Sequence, residues 1–127
     1  CFDIIHIGHV RNLEKAKSLG DILIVGVNAD TSVRENKGKD RPIIGEKERA
    51  EVIAALASVD YVFIFKDKTP EMWLRKIRPS IHVKGKDRKL SQIIERETLK
   101  EIGAKLVLVP LAKGKSTSAV IAKIKNL

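Results

Sequence analysis

Short apolar runs and helical periods alternate along the chain. Residues 21–28, 60–65, 80–84 and 105–109 are rich in Val and Ile and read as strands, the two longer ones apolar at nearly every position. Runs of that kind suit a parallel sheet covered on both faces. Between them, Ala50, Ile53, Ala54 and Ala57 recur at i, i+3, i+4 and i+7, which predicts an amphipathic helix over 46–57. Val10, Leu13 and Ala16 mark an earlier helix that Gly20 would stop as a left-handed cap. A third helix is predicted over 70–77, with Thr69 as N-cap and Pro70 at its first position. A fourth spans 90–102 and closes at Gly103, and a last one follows Ser116 with Val120, Ile121 and Ile124 turned inward. The order is helix, strand, helix, strand, helix, strand, helix, strand, helix, which predicts a single α/β domain, doubly wound around a parallel sheet, over 1–127.

One strand is missing from this alternation. A chain that enters a helix near His9 has no strand ahead of it, where the sheet wants its central strand and the ligand loops converge. The expectation is a truncated first strand, with about 5–8 further residues of strand character ahead of Cys1 in a complete chain.

Composition narrows the function. The 127 residues are 43% hydrophobic, enough for one core and against disorder. Cys1 is the only cysteine, which excludes an internal disulfide framework and a Cys-rich zinc site. No apolar run approaches the ~20 residues of a membrane span, and the sequence carries no signal-peptide or lipid-anchor pattern, so the cytoplasm is the expected location. A single Gln, a single Met and the abundance of Lys, Glu and Ile lean toward a heat-adapted source.

The net charge of +9 admits a nucleic acid, an anionic membrane or a small polyanion as partner. Only five aromatics are present, and Tyr61, Phe63 and Phe65 fall in one run that reads as buried, which speaks against a base-stacking platform. The cations gather instead in three loops: Lys37, Lys39 and Arg41; Lys84, Lys86, Arg88 and Lys89; Lys113 and Lys115. A small anion held between converging loops fits that distribution, with neither nucleic acid nor membrane as partner.

The segment His6-Ile7-Gly8-His9 carries the most specific chemistry. Two imidazoles three apart on a first helical turn can face one ligand, Gly8 allows close backbone approach, and the unpaired N–H groups of a helix start favour an anion. Imidazoles there can donate hydrogen bonds to phosphate oxygens that gain charge during transfer. Taken singly, His6 could be a packed turn residue and His9 an exposed one; the four residues together favour the phosphate site.

The stretch Cys1-Phe2-Asp3-Ile4-Ile5-His6-Ile7-Gly8-His9 resembles the Gly-Cys-Phe-Asp-x-x-His-x-Gly-His signature of the cytidylyltransferase-like nucleotidyltransferases, and Lys115-Ser116-Thr117-Ser118-x-x-Ile121 resembles their second signature. Lys37-Gly38 with Arg41-Pro42, Glu48-Arg49-Ala50-Glu51-Val52 and Val59-Asp60-Tyr61-Val62 are similar to the adenylyltransferase domain of ADP-heptose synthases, also called RfaE domain II. The resemblance implies a Rossmann-like sheet and assigns roles by position. His6 and His9 contact the nucleotide phosphates, Cys1 and Phe2 lie beside the α-phosphate, and Lys37 reaches across the reacting phosphates, with Gly8 counted among the nucleotide-binding residues. Asp87 lies near the nucleoside, and Ser116, Thr117 and Ser118 form the phosphate-binding helix start. Arg41 and Arg49 are further candidates for substrate or phosphate contact, although Arg49 could equally pair with Glu46 or Glu48. Without the family, Asp87 reads as a solvated turn, Lys37 as a loop charge and Ser116 as a plain N-cap.

The chain departs from two relatives of that pattern. Leu111-Ala112-Lys113-Gly114 stands where glycerol 3-phosphate cytidylyltransferases carry Arg-Thr-Glu-Gly, which favours the heptose type, and Gly85-Lys86-Asp87-Arg88 stands where the heptose group has Gly-Gly-Asp-Tyr. The activity expected is transfer of AMP from ATP, with Mg²⁺, to a sugar 1-phosphate of the heptose class, making ADP-heptose and pyrophosphate, by a homodimer as in the family. The alternatives are a glycerol 3-phosphate cytidylyltransferase, an FMN adenylyltransferase, or a nucleotide- or RNA-binding module without catalysis. Class I aminoacyl-tRNA synthetases share the His-Ile-Gly-His tetrapeptide but need a far longer catalytic domain.

Overall fold

The computed structural model describes residues 2–67, 70–85, 95–109 and 116–127. In chain order these form α1 (Ile7–Ser18), β1 (Ile24–Asn28), α2 (Asp30–Lys37), α3 (Glu46–Ala54), β2 (Tyr61–Phe65), α4 (Glu71–Ile77), β3 (Ile81–Gly85), α5 (Arg96–Ile102), β4 (Lys105–Val109) and α6 (Thr117–Lys125). None of these helices is long and apolar enough to cross a membrane.

Among the described residues all strand pairing is parallel. β1 pairs with β2, Ile24 opposite Tyr61 through Asn28 opposite Phe65, and β3 pairs with β4, Ile81 opposite Lys105 through Gly85 opposite Val109. The four strands form two pairs, not one continuous sheet, and no described residue ahead of α1 is in a strand. Helical connections join β1 to β2 and β3 to β4, as parallel neighbours require. Within each pair, therefore, both strands end toward the same side, the side where ligand loops of open α/β sheets gather.

The core lies where α1 and α3 cover one face of the first pair. Leu13, Val25, Val27, Ile53 and Val59 are buried together, with Phe2, Ile5, Leu23, Ala50, Leu56 and Val62 packed around them. Gly26 faces the opposite side, where a Cβ would stand 3.0 Å from Phe63 Cζ and 3.1 Å from Phe65 Cε1. Its missing side chain is what lets those rings lie against β1, and Trp73 of α4 covers Phe63 at 4.9 Å between centroids. The alternation of inward positions on β1 thus supplies two covered faces, as the apolar run predicts.

Several local expectations are corrected. α1 ends at Leu19 in right-handed conformation, so Gly20 is not a left-handed cap; Gly103 is one, at φ 73, after α5. α3 stops at Ala54, not at 57, because Leu56 N bonds Ile53 O and Val59 N bonds Leu56 O in tighter turns that carry Val59 into the core. Pro70 is the N-cap of α4 instead of its first helical residue, and Thr69 lies outside the described residues. Tyr61 is 63% exposed and Ile124 56%, since each sits at the end of its element, beyond the reach of the core. α2 is unforeseen: its sequence DTSVRENK is polar apart from Val33, and among its described side chains Ser32 and Val33 are buried. The stretch 90–94 also lies outside the described residues, so the helix predicted over 90–102 is seen only from Arg96.

The packing predicts the stability response of α3. Ile53, fully buried, should lose about 2–5 kcal/mol on truncation to Ala. Val52, 45% exposed on the same helix, should change by under about 0.5 kcal/mol. Urea unfolding of both variants checks the pair, and equal losses would contradict the assigned inner face.

Candidate active site

His6 is the N-cap of α1, in extended conformation, and its residues close a reciprocal cap made of imidazoles. Gly8 N donates to His6 Nδ1 at 3.0 Å, and His6 N donates to His9 Nδ1 at 3.3 Å. The two ring centroids stand 4.0 Å apart, and the Phe2 ring leans on His9 at 5.1 Å. Acceptance at Nδ1 assigns the proton of each neutral ring to Nε2, the donor nitrogen. Burial, and then the neighbouring His6, lower the pKa of His9 from 6.5 to about 4. His9 is therefore a neutral hydrogen-bond donor at pH 7.

The tail of the chain meets this turn. Thr117, buried at the start of α6, donates its Oγ1 hydroxyl to Ile4 O at 2.9 Å. Ser116 caps the same helix by accepting from Ala119 N at 3.0 Å, and Ser118 is exposed one residue beyond Thr117. The hydroxyl of Thr117 is committed to the fold, so what α6 offers a ligand is the exposed Ser116 and Ser118 hydroxyls and the backbone N–H groups of its first turn.

The basic segment between α2 and α3 approaches from a third direction. Lys37 is the exposed last residue of α2, and Gly38 takes φ 97, a conformation that suits glycine, to turn the chain into the 39–45 loop. Asp3 holds that loop to the histidine turn. Its carboxylate, 0% exposed, accepts from Ile43 N at 2.9 Å, Ile44 N at 2.9 Å and Arg41 Nε at 2.7 Å. Burial pushes the Asp3 pKa up, but the two backbone donors and the Arg41 guanidinium outweigh it and leave the carboxyl below its usual range.

Arg49, a candidate for substrate contact, lies elsewhere. Its side chain is fully buried, with Nη2 on Asp30 Oδ1 at 2.8 Å and Nε on Ile44 O at 2.9 Å. Its ion-pair partner is Asp30 at the start of α2, not Glu46 or Glu48, because Arg49 faces inward on α3 while Glu48 is exposed. A second buried carboxylate, Glu95 ahead of α5, meets His82 Nε2 at 3.2 Å and Lys84 Nζ on β3. Burial raises its pKa, and the bonds from His82 and Lys84 reverse this to about 2.

The structure thus brings His6, His9, Phe2, Gly8 and the start of α6 to one turn and ties Arg41 to it through Asp3. Cys1 and Asp87 lie outside the described residues, as do Lys86, Arg88, Lys89, Lys113 and Lys115. Asp3, Asp30 and Glu95 carry no role in the sequence reading. Asp3 left one legible signal, a single charge inside the apolar run Phe2-Asp3-Ile4-Ile5, whereas nothing local marks the partners of Asp30 and Glu95.

Comparison with known proteins places the chain in a family. The sequence model of the cytidylyltransferase-like family matches residues 1–123. Relatives include the bifunctional protein HldE of Geobacter sulfurreducens, 44% identical over 124 residues that make up 98% of this chain and 25% of that protein. HldE of Citrifermentans bemidjiense is 46% identical over 124 residues, 98% of this chain and 26% of that one. The chain spans about a quarter of the length of these relatives. Among solved structures, the lipopolysaccharide core biosynthesis protein from Thermoplasma volcanium GSS1 superimposes with a TM-score of 0.71 at 31% identity, over 88% of this chain and 90% of that one. With the family's pattern running over nearly the whole sequence and its fold recovered in the solved relative, this chain belongs to the cytidylyltransferase-like family of nucleotidyltransferases.

Proposed function

We propose that the chain is an adenylyltransferase acting on a sugar 1-phosphate of the heptose class, forming ADP-heptose and pyrophosphate from ATP. The observation that carries this reading is the Thr117 to Ile4 hydrogen bond, which puts the start of α6 beside the histidine cap at the front of the chain. The similarity to HldE proteins and to a lipopolysaccharide core biosynthesis protein supports the sugar class.

In this mechanism an oxygen of the sugar phosphate attacks the α-phosphorus of ATP in line. A new P–O bond forms there, the bond from the α-phosphorus to the bridging oxygen breaks, and pyrophosphate leaves with the electron pair. The attacking phosphate is already anionic, so positioning and charge stabilisation carry the rate. The Nε2–H groups of His6 and His9 donate to the α-phosphate oxygens as charge grows there. Lys37 neutralises the approaching phosphates, and Ser116 with the first-turn N–H groups of α6 takes the pyrophosphate. Mg²⁺ is expected to arrive on the triphosphate as part of the substrate. Among the described residues no three His, Cys, Asp or Glu side chains are grouped to hold a metal.

Pyrophosphate release with ATP or CTP, each offered heptose 1-phosphate, glycerol 3-phosphate and FMN, tests the assignment. Release with ATP and heptose 1-phosphate alone is expected; release only with CTP and glycerol 3-phosphate, or with ATP and FMN, would replace it. Binding that weakens steeply with salt and releases no pyrophosphate in any arm would indicate a binding module.

His6→Ala and His9→Ala should each lower turnover roughly 10²–10³-fold, as loss of a preorganised donor does. Steady-state rates read this directly, and undiminished turnover would remove that ring from the chemistry.

The lowered pKa of His9 has a definite sign. Between pH 6.5 and about 4 the unfolded chain takes up a proton that the folded chain refuses, so stability from this group is complete above 6.5 and is lost as the pH falls through that window. Titration of the His9 ring by NMR should show a midpoint near 4, rising when pyrophosphate binds beside it. A midpoint near 6.5 that pyrophosphate does not move would contradict both the burial and the anion site.

A further inference from the structure

Residues 38–45 form no regular element, and their apolar packing is slight: Lys39, Asp40 and Ile43 are exposed and Ile44 only half-buried. Buried charge holds them instead. Ile44 is gripped on both of its peptide groups, its N–H by Asp3 Oδ1 at 2.9 Å and its C=O by Arg49 Nε at 2.9 Å. Asp3 also takes Ile43 N and Arg41 Nε, while Arg49 is braced by Asp30, whose own N–H donates to Glu46 Oε1 at 3.2 Å. Asp3 and Arg49 are 0% and 1% exposed. Unpaired, either charge would be expensive to bury, so the loop geometry that gives both a partner is strongly preferred, even though Arg49 Nη1 is buried without a hydrogen bond.

We propose that Asp3 is a positioning residue: with Arg41 and Arg49 it clamps the 38–45 loop in register with the His6/His9 turn, and Arg41 serves as partner of Asp3 before any contact with substrate. The sequence spacing makes this coupling tight, because Asp3 lies three residues ahead of His6. A loop bearing Lys39 and Arg41, and following Lys37, is thereby fixed to the same short segment that carries the imidazoles. The effect on turnover rests on the adenylyltransferase reading; the clamp itself does not.

Two measurements keep those apart. In the unaltered chain, hydrogen exchange at the Ile43 and Ile44 amides should be at least 10-fold slower than at Lys39 and Asp40, with or without substrates. Exchange at the same rate across the four amides would overturn the clamp whatever the enzyme acts on. The second measurement is a complementary exchange of partners. Asp3→Asn keeps an acceptor for the two backbone amides but turns an amide N–H toward the Arg41 Nε–H. Arg41→Gln sets an amide oxygen at the position of Nε, where it can accept from that Asn. Asp3→Asn alone is expected to speed exchange at Ile43 and Ile44 and to lower kcat/KM for pyrophosphate release at least 10-fold. Adding Arg41→Gln should slow exchange again and recover most of kcat/KM. Recovered amide protection without recovered turnover would show Arg41 acting on substrate and overturn the positioning role.

Discussion

Parallel pairing is the constraint on which the arrangement depends. A parallel strand cannot return by a hairpin, so β1 and β2 need α2 and α3 between them, and β3 and β4 need α5. Within each pair the carboxyl ends then point the same way, and the segments after them leave from one end. The chain exploits that geometry at its two extremes. The turn leading into α1 and the start of α6 are over a hundred residues apart in sequence, and the Thr117 hydroxyl spans them in one bond to Ile4 O.

The histidine turn shows how a structural role and a chemical role share one group of atoms. An N-cap ordinarily uses a short oxygen-bearing side chain; here two Nδ1 atoms do the accepting and tether the rings 4.0 Å apart. The same bonds leave Nε2 as the proton-bearing nitrogen of each neutral ring. Burial and mutual proximity keep His9 uncharged at neutral pH, so its Nδ1 can accept the cap bond while Nε2 keeps its proton as a donor. Helix initiation and donor preparation are one event in this segment.

Charge buried away from water organises the remainder. Asp3, Arg49 and Glu95 are almost fully inaccessible, and each is met by more than one partner. Such groups contribute little net stability, since desolvation offsets much of the attraction, but they penalise every arrangement that leaves them unpaired. For a loop with few apolar side chains turned inward, that penalty is a stronger constraint than packing. It explains why the 38–45 segment has a defined course although nothing in its own composition would give it one.

The amino-acid sequence by itself determined the four strands and their parallel pairing, the cap at Ser116, the stop at Gly103 and the two family motifs. Those features are written in short-range patterns: runs of β-branched residues, a 3.6-residue period, a serine at a helix start, a glycine at a helix end. Helix α2 escaped because Val33 is its only apolar residue, too few to show a helical period, and its place is set by packing of Ser32 and Val33 against the rest of the fold. Arg49 read as a substrate contact or a partner of Glu46 or Glu48; only the tertiary structure decided that it is an internal brace, because its partner Asp30 lies on another helix 19 residues away. The role of Asp3 was decided the same way, since the amides it binds come from a loop about 40 residues downstream. Local pattern records which face of an element is buried, whereas the identity of the group waiting on the other side is a property of the folded chain.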